Sequence, residues 1–243
     1  MKIAVANRKG GVGKSTTAVH VGAMLGMAMN KRVLLVDLDP QGNMATMLGV
    51  DYEHSISDVL NGTVKAAEAV IQARDGVYLL ASDSRLSHAA DVALSRQFDP
   101  QHVIGEHLQT IDDQYDLVII DTAPSLSRLA INALFYADHV MAPVSMARLS
   151  VQALGDVKRE VDSLAPRGAG QIRWIVPTFV DYRKRLTTQL TDGLSELFNG
   201  LVTPPIRYAA MFDELNGQLA FEVEPKGRGA MDYAVLCGKV LNG

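Results

Sequence analysis

"NRKGGVGKSTT", residues 7–17, stands between an apolar run, "KIAVAN" (2–7), and a segment with helix-period apolar positions (14–29). The glycines sit where a backbone must turn its N–H groups inward, and a lysine-serine pair opens the helix, where the partial positive charge of the N-terminus meets anions. Strand, glycine loop, Lys-Ser and helix in that order predict a cradle for a nucleotide's phosphate chain, lined by the backbone of Gly10, Gly11, Val12 and Gly13. Within it Lys14 reaches the β- and γ-phosphates, the Ser15 hydroxyl faces a magnesium ion and Thr16 donates to the α-phosphate. The loop carries a second cation, Lys9, five residues ahead of Lys14. One compact loop does not easily bring both ammonium groups onto the same terminal phosphate, so Lys9 needs another task.

Outward from the loop, "RVLLVD" (32–37), "VYLLAS" (77–82), "YDLVIID" (115–121), "DHVMAPV" (138–144) and "IRWIVPT" (172–178) are apolar without alternation, as strands buried on both faces are. Helix-period segments at 55–73, 84–95, 100–112, 126–137, 149–164 and 185–199 separate them. Strand and helix in alternation predict an α/β, doubly wound, mostly parallel sheet with helices on both faces. The chain shows no internal repeat and no low-complexity linker; it reads as a single domain over 1–243, least regular between Thr203 and Gly229.

Two strands end in acid. "LLVDLDPQGN" (34–43) delivers Asp37 and Asp39, which strand alternation points the same way at the carboxyl end of the sheet, where doubly wound folds bind ligands. "LVIIDTAP" (117–124) ends in Asp121, a buried strand carrying one carboxylate toward the outer shell of a phosphate-bound metal.

Composition narrows the classes. With 23 basic against 27 acidic residues the net charge is −4, so the chain lacks the global positive charge of a dedicated nucleic-acid binder, and any such contact comes from a local patch. Neither a membrane-span run nor a signal-peptide layout is present, which points to the cytosol. Cys237, the single cysteine, lies in the apolar run "YAVLCGKVL" and reads as a small buried hydrophobe. His102 and His107 are five apart and share no helix face as metal ligands would; all six histidines read as structural or surface, leaving magnesium as the one metal implied. No nucleophile elbow is present, so hydrolysis here means water attacking a nucleotide.

"KGGVGKST" (9–16) resembles the loop of the deviant Walker A ATPases of the ParA and MinD type, KGGxGK[ST], and "DLDPQGN" (37–43) matches that family's DxDPQGN residue for residue. The resemblance implies an ATP- and Mg²⁺-dependent ATPase that closes as a sandwich homodimer, with Lys9 crossing to the partner's phosphates in the manner of an arginine finger. It further implies that Lys14 and Asp39 share the catalysis, Asp39 by positioning or deprotonating the attacking water, and that Asp37 holds the magnesium hydration shell beside Ser15 and Asp121. "ARLSVQALGDV" (147–157) looks like the segment before the family's long dimer-side helix, and "PKGRGAMDYAVL" (225–236) like its closing helix.

Within the family, one cysteine excludes a bridged iron–sulfur cluster. The tail "CGKVLNG" is unlike the basic amphipathic helix of MinD relatives, so no membrane partner is expected, and the first strand at Lys2 leaves no room for an N-terminal helix-turn-helix. The short ParA type remains. Its implied partners are nonspecific DNA, bound on the nucleoid, and a ParB-like adaptor that stimulates hydrolysis, in the service of plasmid or chromosome partition; positioning a protein cargo, or a MinD-like role, are the alternatives. DNA-facing candidates are Arg183, Lys184 and Arg185 in "YRKR" (182–185), Arg207 beside Tyr208, and Lys226 and Arg228 in "KGR" (226–228). "PPIRYAAMFDELNGQ" (204–218) loosely follows the family's adenine-contact stretch and nominates Pro205 and Arg207 as nucleotide contacts.

Overall fold

Seven strands form one sheet, in the order β3-β4-β2-β5-β1-β6-β7, in a computed structural model that describes residues 1–124, 127–213 and 215–242. The strands are β1 (Lys2–Val5), β2 (Val33–Leu38), β3 (Val70–Arg74), β4 (Val77–Leu80), β5 (Leu117–Thr122), β6 (His139–Ser145) and β7 (Gln171–Thr178). Every neighbouring pair is parallel except β3 with β4. The strand β1 that feeds the glycine loop therefore lies inside the sheet, between β5 and β6. The expected α/β doubly wound class is the one observed.

Both faces of the sheet are buried, which is why the strands read as unbroken apolar runs. Alternate residues of β2 enter two separate cores: Leu34, Val36 and Leu38 on one face, Val33 and Leu35 on the other. The first core is closed by α3 (Ile56–Asn61), α5 (Leu86–Arg96), α6 (Val103–Leu108), α7 (Arg128–Tyr136), α8 (Arg148–Leu164) and α9 (Arg185–Leu197), the second by α1 (Lys14–Ala23), α2 (Asn43–Leu48) and α11 (Arg228–Asn242). Each fully buried leucine, isoleucine or valine contributes about 1.5–3 kcal/mol, and these two layers supply most of the folding free energy. Helix α3 starts at a capping box, Ser55 taking the Ser57 N–H and Asp58 the Ser55 N–H; Ser127 caps α7. Pro143 is accommodated inside β6 because the β1 ladder has ended at Met141, and its carbonyl accepts from the Asn7 side chain instead.

One expected helix is a correction. Residues 55–73 are not continuous helix: α3 ends at Asn61, a short α4 (Ala66–Ala69) follows, and the chain then turns antiparallel into β3. β-branched Val70 and Ile71 with the Asp75-Gly76 turn, Gly76 at φ +70°, make a hairpin that the alanine-rich "AAEA" masked. The short α2 and α10 (Ala220–Val223) were also absent from the sequence reading, whereas α1 runs on through a π-helical turn (Met24–Ala28) as the 14–29 period required. Leu126, at the start of the expected helix 126–137, lies outside the described residues. No helix among the described residues is long and apolar enough to cross a membrane.

Candidate phosphate-binding site

The glycine loop lies where β1 leaves the sheet and turns into α1. Gly11 and Gly13 take φ of +69° and +83°, values that L side chains rarely adopt, so the loop can turn its amides inward only with glycine at these positions. Two side chains pin it with three hydrogen bonds: Asn7, just beyond β1, accepts from the Lys9 amide (3.1 Å) and donates to the Pro143 carbonyl (2.7 Å), and Thr178 at the end of β7 donates to the Val12 carbonyl (2.8 Å). Asn7 and Thr178 were not singled out from sequence; the only cue was a polar residue ending an otherwise apolar strand.

The two lysines separate. Lys14 is 6% exposed at the loop's base, and burial lowers its pKa while Asp121 and Asp39 hold it up. Lys9 is half-buried at the mouth and its Nζ donates to Ser150 Oγ (2.8 Å), which is in turn 2.8 Å from Ser145 Oγ. Ser150 belongs to the first turn of α8, in the stretch set apart by its resemblance.

Asp37 and Asp121 are register partners on β2 and β5. Both are fully buried, and burial pushes Asp37 up to about 6; Asp121 is driven further up by burial and by the Asp37 charge beside it. Their roles diverge. Asp37 uses both oxygens on backbone amides, those of Asp39 (2.9 Å) and Met44 (3.1 Å), and so shapes the loop and caps the start of α2. Asp121 accepts from Ser15 Oγ with one oxygen, while its Oδ1 is buried without a hydrogen-bond partner. Asp39 is 8% exposed and accepts from the Gln41 amide (3.0 Å).

This donor set fits a hydrated divalent cation. Crowded carboxylates, an unpartnered buried oxygen and a serine hydroxyl at the head of α1 are what a magnesium ion and its waters would satisfy. Among the described residues no three acidic, histidine or cysteine side chains cage an ion directly, so the cation that fits is one carried in on phosphate oxygens. Ser15 would face it, with Asp121 and Asp37 reached through water.

Behind the loop, buried His20 of α1 lies between the Thr16 carbonyl (Nδ1, 2.8 Å) and the Ala220 amide, which donates to Nε2 (3.1 Å), and stacks on Tyr233 of α11. Burial depresses its pKa to about 4, against the weaker upward pull of the Thr16 carbonyl and of Glu222. A histidine depressed below its unfolded value of about 6.5 stabilises the fold fully above that pH and loses the contribution as pH falls toward the folded value. Buried Asp37 and Asp121 titrate with the opposite sign in the same window, so the His20 contribution is read as a difference: in urea melts between pH 6.5 and 4 the wild type should lose roughly 3 kcal/mol of unfolding free energy relative to His20→Gln. Parallel slopes for the two proteins would rule His20 out as the titrating group.

The remaining candidates lie along the β7 edge. Residues 202–208 run beside β7, through bridges Ile175 with Val202 and Val180 with Arg207, which brings half-buried Pro205 to the loop side of the sheet. The Arg207 guanidinium is held by Asp232 on α11 (2.7 Å) rather than turned to the glycine loop. Arg183, Lys184 and Arg185 are exposed just after β7, with Arg183 forked onto Asp181 at 2.8 Å. Lys226 and Arg228 are exposed at the start of α11, one turn from Asp232, so Arg207 and its partner join the two basic clusters.

Comparison with known proteins bears on the family and the fold. A family profile described as an AAA domain matches residues 1–172. A ParA family protein of Chlamydia muridarum is 32% identical over 98% of this chain and 96% of its own, and the chromosome-partitioning ATPase Soj of Thermus thermophilus is 37% identical over 81% and 76%. Among solved structures, cobyrinic acid a,c-diamide synthase from Mycobacterium smegmatis with a bound ATP analogue and magnesium is 29% identical, with a TM-score of 0.85, covering 99% of this chain and 93% of that one. A Cyanothece McdA–ATP complex shares the fold at a TM-score of 0.88 and 24% identity, covering 99% of this chain and 96% of that one.

Proposed function

Because the chain belongs to the ParA/MinD family of P-loop ATPases, we propose that it is a short ParA-type partitioning ATPase that binds ATP and Mg²⁺, closes as a homodimer, holds DNA without sequence preference and is reset by adaptor-stimulated hydrolysis. The observation that carries this reading is the division between the two lysines. Lys14 is a buried cation at the base of the phosphate loop, sufficient for one nucleotide in cis, whereas Lys9 sits at the mouth on a neutral serine hydroxyl that it can exchange for an anion. A cation at the mouth suits a phosphate presented from outside, by a second copy of the chain.

The residues divide the work accordingly. Backbone amides of Gly10 to Ser15 and the Lys14 ammonium bind and orient the phosphates; Asp39 positions the attacking water and accepts its proton; Asp37 and Asp121 fix the loop and the hydrated metal's place. Bound magnesium supplies charge neutralisation at the phosphates. DNA is met by Arg183, Lys184 and Arg185, supported by Lys226 and Arg228, in the cytoplasm on the nucleoid. Plasmid, chromosome and protein cargoes would all use this same chemistry.

Light scattering and duplex binding with and without ATP test the reading. The dimer and the DNA complex should both require ATP. If about four cations per dimer reach phosphates, log affinity against log salt should slope near −3.6, at roughly −0.9 per phosphate neutralised. The double variant Arg183→Glu, Arg185→Glu should lose DNA binding and keep basal ATPase, since both residues lie beyond Thr178 and Phe179, the residues at the end of β7 that contact the phosphate loop. Binding that is ATP-independent or sequence-selective would defeat the proposal. A ligase is the second reading, favoured by the likeness to the diamide synthase; it requires an acceptor substrate for turnover, whereas the proposed ATPase releases phosphate with water alone.

A further inference from the structure

Phe179, the first residue beyond β7, has φ +53°. Left-handed backbone is a genuine outlier for a bulky side chain. The other non-glycine residues in this region among those described, Asn30 and Asn216, are asparagines, which tolerate it through their short polar side chain. Phe179 is held there by its flanks: Thr178 is the last β7 residue and bonds Val12, while Val180 donates to the Ile206 carbonyl (3.1 Å) and accepts from the Tyr208 amide (3.1 Å). Phe179 is 37% exposed and its ring is directed at the glycine loop: a Cβ built on Gly13 would lie 3.2 Å from Phe179 Cζ, closer than ordinary van der Waals contact. Thr178 and Phe179 thus grip consecutive residues of the loop, one by a hydrogen bond and the other by an aromatic edge on the glycine before Lys14.

Strained backbone persists where the surrounding structure over-determines it, and such residues cluster at functional sites. We propose that Phe179 is a positioning residue for the phosphate loop, its ring holding Gly13 in the left-handed turn that aims the loop amides and Lys14 at phosphate. The proposal rests on the nucleotide-binding reading above. A ring that served only to fill space would need no left-handed backbone, and its removal would simply destabilise the protein.

Phe179→Gly and Phe179→Asn separate these roles, since both residue types accept positive φ and neither carries the ring. Full-length wild-type and variant proteins are titrated calorimetrically with Mg-ATP and with magnesium tripolyphosphate, and melted. Both variants should melt no lower than wild type yet bind each ligand about tenfold more weakly (about 1.4 kcal/mol), with the ratio of the two affinities unchanged. Unchanged affinities would overturn the proposal. So would a lowered melting temperature in both variants, which makes the ring ordinary packing, or loss of ATP affinity alone, which makes it a contact to the base. Wild-type protein that bound neither ligand would instead defeat the nucleotide reading, and this proposal with it.

Discussion

Lys9→Ala should bind ATP within a few-fold of wild type, remain monomeric, and release phosphate about 10³-fold more slowly or worse, the scale on which a cation supplied in trans accelerates phosphoryl transfer. The structure gives the reason for the split. The Lys9 side chain contacts Ser150 rather than the base of the loop, and the loop's shape is maintained by Asn7 on the Lys9 backbone amide, a bond that alanine keeps. Lys14, Ser15 and the amides of Gly11 and Gly13 are untouched, so the cis site survives. Calorimetry, light scattering and phosphate release on the same preparation measure all three properties. A normal ATP-dependent dimer would make Lys9 an ordinary surface cation.

Asp39→Ala should keep both ATP affinity and the dimer while turnover falls by about 10² to 10⁴, the contribution of a positioned general base. The substitution is mild for the fold because the loop after β2 is held mainly by Asp37, whose oxygens take the Asp39 and Met44 amides, whereas the Asp39 carboxylate, among the described residues, takes the Gln41 amide alone. Wild-type phosphate release from this variant would remove Asp39 from the chemistry. Asp37, by the same hydrogen bonds, is a poor probe of mechanism, since its loss dismantles the loop as well as the metal site.

The doubly wound sheet was legible because burial on both faces leaves uninterrupted apolar strands, and six of the seven were found that way. The seventh, β3, escaped because an edge strand is selected by its hairpin turn, and Asp75-Gly76 carried that signal more clearly than the apolar period did. Loop and acid positions were legible because glycine, lysine and aspartate at strand ends have few other uses. What sequence could not supply was pairing between distant residues. The Lys9–Ser150 bond spans 141 positions and Thr178–Val12 spans 166, and neither residue type advertises its partner. The same holds for the arginines: Arg183 and Arg207 read as cations for DNA or nucleotide, while the fold pairs them with Asp181 and Asp232. The double requirement on Asp37, metal site and helix cap, is likewise invisible until α2 is in place.

The position of β1 has a consequence for synthesis. The strand is made first, yet its neighbours are β5 and β6, whose pairing residues begin at Val118 and His139, and the loop that follows it is pinned by Pro143 and Thr178. When synthesis has reached about residue 100, the β2–β4–β3 portion of the sheet can form, but nothing is yet available to place on either side of β1. Contacts of such long sequence separation close slowly, because the loop entropy must be met before the pairing rewards it. The phosphate cradle is therefore among the last parts of the molecule to assemble, and a nucleotide can act on folding only after the β7 strand has emerged from the ribosome.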